Sequence, residues 1–113
     1  MALQVLYRVE KYGANYMLRA HVGSNVGKPI GEARFQLLPD GERVELESLF
    51  ACERHRDLLA PELLHKFERL VRFFQRSAVW LEAVAQQKNF YLARGYSVIT
   101  EHGNFCYMQK DLA

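Results

Sequence analysis

The hydrophobic period of this 113-residue chain changes near its middle, and that change limits the folds open to it. In the first half, apolar and polar residues alternate, which is typical of strands with one buried face. Only short turns separate these strands, and short turns join antiparallel neighbours. This half therefore predicts a four-stranded antiparallel meander, with Leu3, Val5, Tyr7 and Val9 in the first strand, further strands at 16–22, 30–38 and 43–51, and turns at 11–15, 23–27 and 39–41.

The second half begins with an amphipathic helix. Apolar residues recur every three or four positions from Leu59 to Phe74, which places one wide apolar stripe on a helix that ends near Gln75. Asp57 is its predicted N-cap. A short apolar strand at 79–83, a second helix at 86–94 and a closing hairpin at 96–100 and 105–112 follow. A strand–helix–strand unit requires a parallel pair, so we expect an α/β (α+β) fold with a mixed, mostly antiparallel sheet of about seven strands and two main helices.

Composition narrows the class of protein. The chain, residues 1–113, is long enough for one domain with its own core. Half of the residues are apolar and a quarter are charged, which argues against disorder, and a net charge of +2 is too small to indicate nucleic-acid binding. No apolar run approaches the ~18 residues of a membrane span, and the N-terminus has no signal-peptide pattern. We therefore expect a cytoplasmic protein in which Cys52 and Cys106 are free thiols.

The run Asn89–Tyr96 carries the clearest functional signal. An aromatic pair, Phe90 and Tyr91, lies on the second predicted helix, which Gly95 ends, and Tyr96 opens the closing hairpin. Glycine is common just past a helix end because it adopts the left-handed conformation without a Cβ clash. This arrangement resembles the C-terminal part of the GNAT N-acetyltransferase superfamily. The resemblance implies that Tyr91 protonates the leaving thiolate of coenzyme A; the alternative is that both aromatics are core residues.

The resemblance extends over about residues 14 to 112 and rests on the order of the elements. Segments 31–34 and 44–50 take the places of the family's central hairpin. One departure is large, because the family carries one or two helices between its first two strands and this chain has only the turn at 11–15. Those helices help to form the acceptor pocket. The resemblance therefore implies that a second copy, in a homodimer, supplies the missing part.

The resemblance also implies acetyl-CoA as cosubstrate. In the family, backbone N–H groups at the start of the long helix bind the cofactor pyrophosphate, and this chain reads HRDLLAPELL there. Phe50 and Ala51 would then hold the pantetheine arm, and the pyrophosphate would lie on His55, Arg56, Asp57, Leu58, Leu59 and Ala60. Two residues depart from the pattern: Leu58 replaces a glycine, and Asp57 brings a carboxylate to the anion site. A capped helix without a ligand is the alternative.

Family members often carry a carboxylate on the fourth strand that deprotonates the acceptor amine through water. Glu45 and Glu47 are the candidates here, and a solvated or cross-strand paired role is the alternative for each. No metal site is expected, because the residues with zinc-ligand chemistry lie on different predicted elements, namely Cys52, His55, His102 and Cys106. The expected function is direct acetyl transfer from acetyl-CoA to a small-molecule or protein amine. The alternatives are a catalytically inactive GNAT-fold binding or regulatory protein, and an acyltransferase that uses another acyl carrier.

Overall fold

The computed structural model describes residues 4–23 and 27–112, so Leu3 of the first predicted strand and residues 24–26 of the predicted turn at 23–27 lie outside the described residues. Seven strands and two helices follow one another within them in the predicted order. They are β1 (Val5–Tyr12), β2 (Asn15–Val22), β3 (Gly31–Leu37), β4 (Arg43–Ala51), α1 (Arg56–Phe73), β5 (Ala78–Val84), α2 (Ala85–Leu92), β6 (Ser97–His102) and β7 (Phe105–Asp111). The predicted mixed α/β architecture is confirmed.

The described strands form one sheet in the order β1-β2-β3-β4-β5-β7-β6. All neighbours are antiparallel except β4 and β5, which are parallel. The helices α1 and α2 each cross to a strand further along the sheet in the same direction, and right-handed crossovers place both on the same face. The apolar core lies between that face and the helices, and its side chains include Phe35, Val44, Leu46, Leu63, Phe67, Val71, Val79, Leu81, Tyr91 and Met108.

The start of α1 differs from the prediction. Asp57 is not the N-cap: the helix begins at Arg56, and His55 takes the cap position without a side-chain cap hydrogen bond. The reason is a 3₁₀ turn, Glu53–His55, which leads directly into the helix, so that the helix begins two residues earlier than the side-chain pattern indicates. Asp57 therefore lies in the first turn, and Pro61 lies inside the helix.

The other helix ends are closed by left-handed residues. Gly95 has φ 94°, and the bonds from Tyr96 N–H to the Tyr91 carbonyl oxygen (3.1 Å) and from Gly95 N–H to the Leu92 carbonyl oxygen (3.3 Å) form a Schellman motif. The glycine stop predicted from the sequence is thus confirmed. The long helix ends at Phe73 rather than near Gln75, because Gln75 itself adopts φ 60°. No helix among the described residues is long and apolar enough to cross a membrane.

Candidate functional site

The two parallel strands in the middle of the sheet separate after four residue pairs. Pairing runs from Arg43 opposite Ala78 to Leu46 opposite Leu81, and β4 and β5 then continue without pairing to each other. A β-bulge accompanies the separation: on β4, Leu46 pairs with Phe35 and Ser48 with Arg34, which leaves Glu47 as the extra residue. A bulge bends its strand and increases the local twist. The carboxyl ends of β4 and β5 therefore diverge.

A cleft of about 490 Å³ lies beside the end of β4, where β4 no longer pairs with β5. Its walls are the end of β4, the first two turns of α1 and one face of α2. Six of the residues predicted for the site lie in these walls: Phe50, Ala51, Arg56, Asp57, Ala60 and Tyr91. The fold thus brings together residues that are up to 41 positions apart, counted from Phe50 to Tyr91.

Three residues predicted for the pyrophosphate do not line the cleft. His55 occupies the cap position of α1. Leu58 is 77 % exposed on the surface of the first turn, whereas Leu59 is buried against Ala20 and Ala51. A Cβ atom at Gly31 would lie 3.0 Å from the Leu59 side chain, so this part of α1 packs directly on the β3 backbone. Leu58 and Leu59 therefore have different environments, because adjacent helix positions point about 100° apart.

The two carboxylates of β4 also lie outside the cleft walls. Glu45 accepts a hydrogen bond from the Gln36 side-chain nitrogen across the sheet (3.1 Å), which is the cross-strand alternative raised by the sequence. Glu47 is exposed at the bulge. The structure therefore separates both glutamates from Tyr91 and the α1 residues of the cleft.

Sequence reasoning missed half of the cleft walls, namely Leu49, Pro61, Gln86, Gln87, Phe90 and Arg94. For α2 a signal exists, because Gln87, Phe90, Tyr91 and Arg94 recur at the three- and four-residue spacing of one helix face. Leu49 offers no such signal. It faces the core side only because the bulge at Glu47 shifts the alternation of β4 by one residue.

Tyr91 combines burial with an unpaired hydroxyl. The residue is 5 % exposed, and its ring packs edge-on against the rings of Phe90 (5.1 Å between centroids) and Tyr96 (5.4 Å). Burial raises the pKa of Tyr91 to about 12, so the phenol is neutral at physiological pH. The described residues offer its hydroxyl no hydrogen-bond partner, yet the oxygen is not enclosed: the fully enclosed, unpaired side-chain polar atoms among them are Tyr7 Oη and His21 Nδ1. Tyr91 therefore presents a free O–H at the cleft.

The charges of the cleft come from both helices. Arg56 and Asp57 are adjacent on α1, and Arg94 faces them from the end of α2. Arg94 is held in place, since it donates to the Phe90 carbonyl oxygen (2.8 Å) and its guanidinium lies 3.9 Å from the centre of the Phe90 ring. Arg56 has no ion pair within the described residues. Two guanidinium groups and one carboxylate therefore line the cleft, which favours an anionic ligand.

The first turn of α1 has fewer free amides than a simple helix start. The 3₁₀ turn uses the His55 N–H, which donates to the Cys52 carbonyl oxygen (3.0 Å), and the Arg56 N–H, which donates to that of Glu53. Helix geometry leaves the N–H groups of Asp57 and Leu58 without an intrahelical acceptor. An anion at this helix end can therefore use two backbone donors together with the Arg56 side chain.

No group of three or more histidine, cysteine, aspartate or glutamate side chains that could hold a metal ion occurs in residues 4–23 and 27–112. Cys52 is partly exposed, and Cys106 is buried in β7; neither forms a disulfide. The chemistry available at the cleft is therefore that of a phenol, two guanidinium groups, a carboxylate, two glutamines and backbone amides.

Comparison with solved structures shows the GNAT fold. A GNAT family acetyltransferase from Elizabethkingia anophelis, with acetyl-CoA bound, superposes with a TM-score of 0.73 at 11 % identity and covers 96 % of this chain and 98 % of its own. The PaiA N-acetyltransferase of Thermoplasma acidophilum, in complex with coenzyme A, gives 0.73 at 19 % identity, over 87 % of this chain and 61 % of its own. Nourseothricin acetyltransferase gives 0.72 at 14 % identity, over 96 % and 85 %.

These likenesses establish the architecture. The chain has the seven-stranded, two-helix core of the GNAT acetyltransferases, without a helix between β1 and β2. The three proteins named are less than 20 % identical to this chain, so the superpositions establish a shared fold and no shared function. No protein-family model matches the sequence, and a search of curated proteins finds no match. Function must therefore be argued from the cleft.

Proposed function

We propose that this protein is an acetyl-CoA-dependent N-acetyltransferase that binds the thioester in the cleft between the end of β4, α1 and α2 and transfers the acetyl group directly to an amine. The observation that carries the proposal is the free hydroxyl of the buried Tyr91, which lies beside a cleft bounded by an unpaired strand edge and a helix N-terminus. An acyl thioester needs these three elements: a hydrogen-bonding edge for its amide-containing arm, donors for its phosphates and a proton donor near its sulfur.

The donor would be held along its whole length. After Leu46 the edge of β4 that faces β5 is free, and an extended amide chain such as pantetheine adds to a free strand edge by main-chain hydrogen bonds. Phe50 and Ala51 lie on this edge. The diphosphate would lie at the first turn of α1, on the Asp57 and Leu58 amides, with Arg56 and Arg94 on either side.

The reaction forms one C–N bond and breaks one C–S bond. The amine nitrogen attacks the thioester carbonyl, the tetrahedral intermediate collapses, and the sulfur departs with the electron pair of the C–S bond. Tyr91 donates its proton to that sulfur, while the nitrogen loses a proton to solvent, so the proton count balances. Burial raises the pKa of Tyr91 to about 12, so the phenol carries its proton at physiological pH and is available as the donor.

Acetyl-CoA as the donor is supported by the bound ligand of the Elizabethkingia protein, which aligns with this chain over 98 % of its own length. Coenzyme A bound to the Thermoplasma protein supports the same class of donor. The first of these alignments leaves little chain unmatched on either side. Such a short core is therefore compatible with thioester binding, and the helices that this chain lacks between β1 and β2 belong to the acceptor side of the proposal.

A second candidate function is a GNAT-fold binding protein without catalysis. The Asp57 carboxylate in the cleft and the two amides already used by the 3₁₀ turn favour it, because both weaken the site for a diphosphate. Two like charges about 4 Å apart repel by roughly 1 kcal/mol in water and about 4 kcal/mol near a protein surface. Arg56 and Arg94 oppose that repulsion.

Calorimetric titration with acetyl-CoA, followed by acetylation assays on a panel of small amines and lysine peptides, tests the proposal. We expect saturable binding in the micromolar range for the wild-type protein. Tyr91→Phe should retain that affinity and lower kcat roughly 10²- to 10⁴-fold, since a proton donor acts in the transition state. The matched control is Tyr16→Phe, a tyrosine stacked on Phe35 outside the cleft, which should retain wild-type turnover. Absence of binding at millimolar acetyl-CoA would reject the acetyltransferase proposal and leave the second candidate, a GNAT-fold binding protein without catalysis.

The acceptor and the assembly belong to the same proposal. We propose a small-molecule or protein amine as acceptor and a cytoplasmic homodimer as the working form. β1 is an outer strand of the sheet, and Leu6 and Val9 on it are 54 % and 48 % exposed, which is typical of an edge that pairs. Sedimentation velocity at high protein concentration should show a dimer. A monomer would contradict the proposed homodimer and would leave the assignment of acetyl-CoA as donor unaffected.

A further inference from the structure

A buried carboxylate links α1 to the C-terminal hairpin behind the cleft. Glu68, in the middle of α1, is 6 % exposed. One of its oxygens accepts a hydrogen bond from the Tyr96 hydroxyl (2.8 Å), and the other accepts one from Lys110 Nζ on β7 (2.9 Å). Both carboxylate oxygens are thus bound, as a buried charge requires. The three residues come from α1, the start of the hairpin and its last strand, and we call them the Glu68 clasp.

Tyr96 connects this clasp to the cleft. Its ring meets the Tyr91 ring edge-on at 5.4 Å, and its backbone N–H donates to the Tyr91 carbonyl oxygen at 3.1 Å. The Lys110 ammonium lies 5.6 Å from the centre of the Tyr96 ring. Gly95 leaves the space for this, because a Cβ atom there would stand 3.2 Å from Lys110 Cε. Tyr96 is therefore fixed through its backbone, its ring and its hydroxyl.

We propose that Tyr96, fixed by Glu68, is a positioning residue that holds the Tyr91 phenol at the cleft. The inference rests on the proposed function for its catalytic meaning and on the contacts alone for its structural meaning. Tyr91 has no hydrogen bond from its own hydroxyl to set its orientation within the described residues. Its ring is oriented by the aromatic neighbours Phe90 and Tyr96, and of these Tyr96 is the one tied by its side chain to α1.

The link to α1 gives the clasp a role beyond packing. The first turn of α1 carries Arg56 and Asp57 in one wall of the cleft, and Tyr91 belongs to the opposite wall on α2. A hydrogen bond from Tyr96 to Glu68 ties the residue that packs on the Tyr91 ring to the middle of α1. A misplacement of about 1 Å at a reacting group can lower turnover roughly 100-fold. The clasp would therefore act on kcat through Tyr91 while leaving the donor contacts in place.

Tyr96→Phe is the first test, because it removes one hydroxyl and keeps the ring. We expect kcat to fall roughly tenfold or more with KM for acetyl-CoA changed less than about twofold, since positioning of a proton donor is felt in the transition state. Glu68→Gln keeps an oxygen that accepts from Tyr96 and should retain most of the turnover. Glu68→Leu removes the acceptor and should match Tyr96→Phe. Equal activity of Glu68→Gln and Glu68→Leu would overturn the inference.

A spectroscopic test separates this inference from the proposed function. Incorporation of 3-fluorotyrosine gives one ¹⁹F signal for each tyrosine, and the Tyr91 signal is the one that disappears in Tyr91→Phe. In Glu68→Leu we expect this signal to shift or broaden, whereas the Tyr16 signal stays unchanged; in Glu68→Gln both stay. An unmoved Tyr91 signal in a folded Glu68→Leu protein refutes the positioning role. If acetyl-CoA does not bind the wild-type protein, the proposed function fails, and the ¹⁹F result still decides the positioning role.

Discussion

The two ends of α1 are built in opposite ways. At its C-terminal end, N–H groups of the following residues close the last turn: Gln75 donates to the Arg72 carbonyl oxygen (2.9 Å) and Arg76 to that of Val71 (3.1 Å). The Arg76 side chain then donates to the carbonyl oxygens of Leu38 (2.8 Å) and Arg43 (3.4 Å), and Arg72 to that of Leu112 (3.3 Å). This end is tied to both the β3–β4 turn and the end of the chain.

The N-terminal end has few such ties. Its cap residue, His55, makes no side-chain cap bond, Leu58 is 77 % exposed, and Arg56 and Asp57 face the cleft. Unsatisfied amides and a positive helix end are costly for stability but useful for an anionic ligand. The same helix is thus anchored at its C-terminal end and left available for a ligand at its N-terminal end. If that interpretation holds, substitutions at the anchored end lower stability, and substitutions at the available end change binding.

The largest expected effect is in the anchored half. Phe67→Ala should lower the free energy of unfolding by about 3–5 kcal/mol, because Phe67 is fully buried and packs edge-on against Phe35 at 5.0 Å. Leu58→Ala is the matched control at the available end and should change stability by less than about 0.5 kcal/mol. Urea denaturation of both variants is the measurement. Similar losses for the two would erase the contrast between the ends of the helix.

Arg76→Met should lower the free energy of unfolding by roughly 1–3 kcal/mol, since hydrogen bonds from a charged donor are lost at two carbonyl oxygens. Binding of acetyl-CoA should be unchanged, because Arg76 is not a residue of the cleft. Denaturation and calorimetry on the same preparation measure both quantities. If Arg76→Met lowered the affinity for acetyl-CoA and left the free energy of unfolding unchanged, Arg76 would not be an anchor of α1.

Stability at alkaline pH tests the burial of the Tyr91 phenol, which lines the cleft together with the N-terminal end of α1. The pKa of Tyr91 is about 12 in the folded protein and close to 10 in an unfolded chain. Its raised pKa stabilises the fold fully below pH 10, and that stabilisation is lost as the pH rises towards 12. At pH 11 the loss is about 1.4 kcal/mol. Relative to pH 8, Tyr91→Phe should therefore lose less unfolding free energy than the wild-type protein, and parallel pH curves would contradict the burial of the phenol.

The smallest effect, and the sharpest contrast, is expected for Asp57→Asn. Removing a carboxylate from the first turn should cost about 0.3–1 kcal/mol of stability through the helix dipole. The affinity for acetyl-CoA should nevertheless rise roughly fivefold, since about 1 kcal/mol of repulsion with the diphosphate disappears. Calorimetry compares the variants, with Glu53→Gln as a control in the preceding 3₁₀ turn. Weaker binding in Asp57→Asn than in Glu53→Gln would exclude the phosphates from this helix end.

Sequence patterns predicted the elements well and the residues of the cleft unevenly. The helix stop at Gly95, the strand around Trp80 and the stripe of α1 follow from local period and turn chemistry, and each is present. The N-cap assignment of Asp57 was wrong, because a 3₁₀ turn of three residues begins the helix without a side-chain signature. Of the eleven site residues predicted, six line the cleft, and the five that do not depend on register or on the precise helix start.

The order and type of the strands and helices follow from the amino-acid sequence, since they depend on side chains a few positions apart. The position of the cleft depends on the tertiary structure. The bulge at Glu47 and the end of pairing after Leu46 lie beside the cleft, and the hydrogen bond between Tyr96 and Glu68 joins residues 28 positions apart. Strand register and burial are cooperative properties of the whole sheet, so no local pattern encodes them.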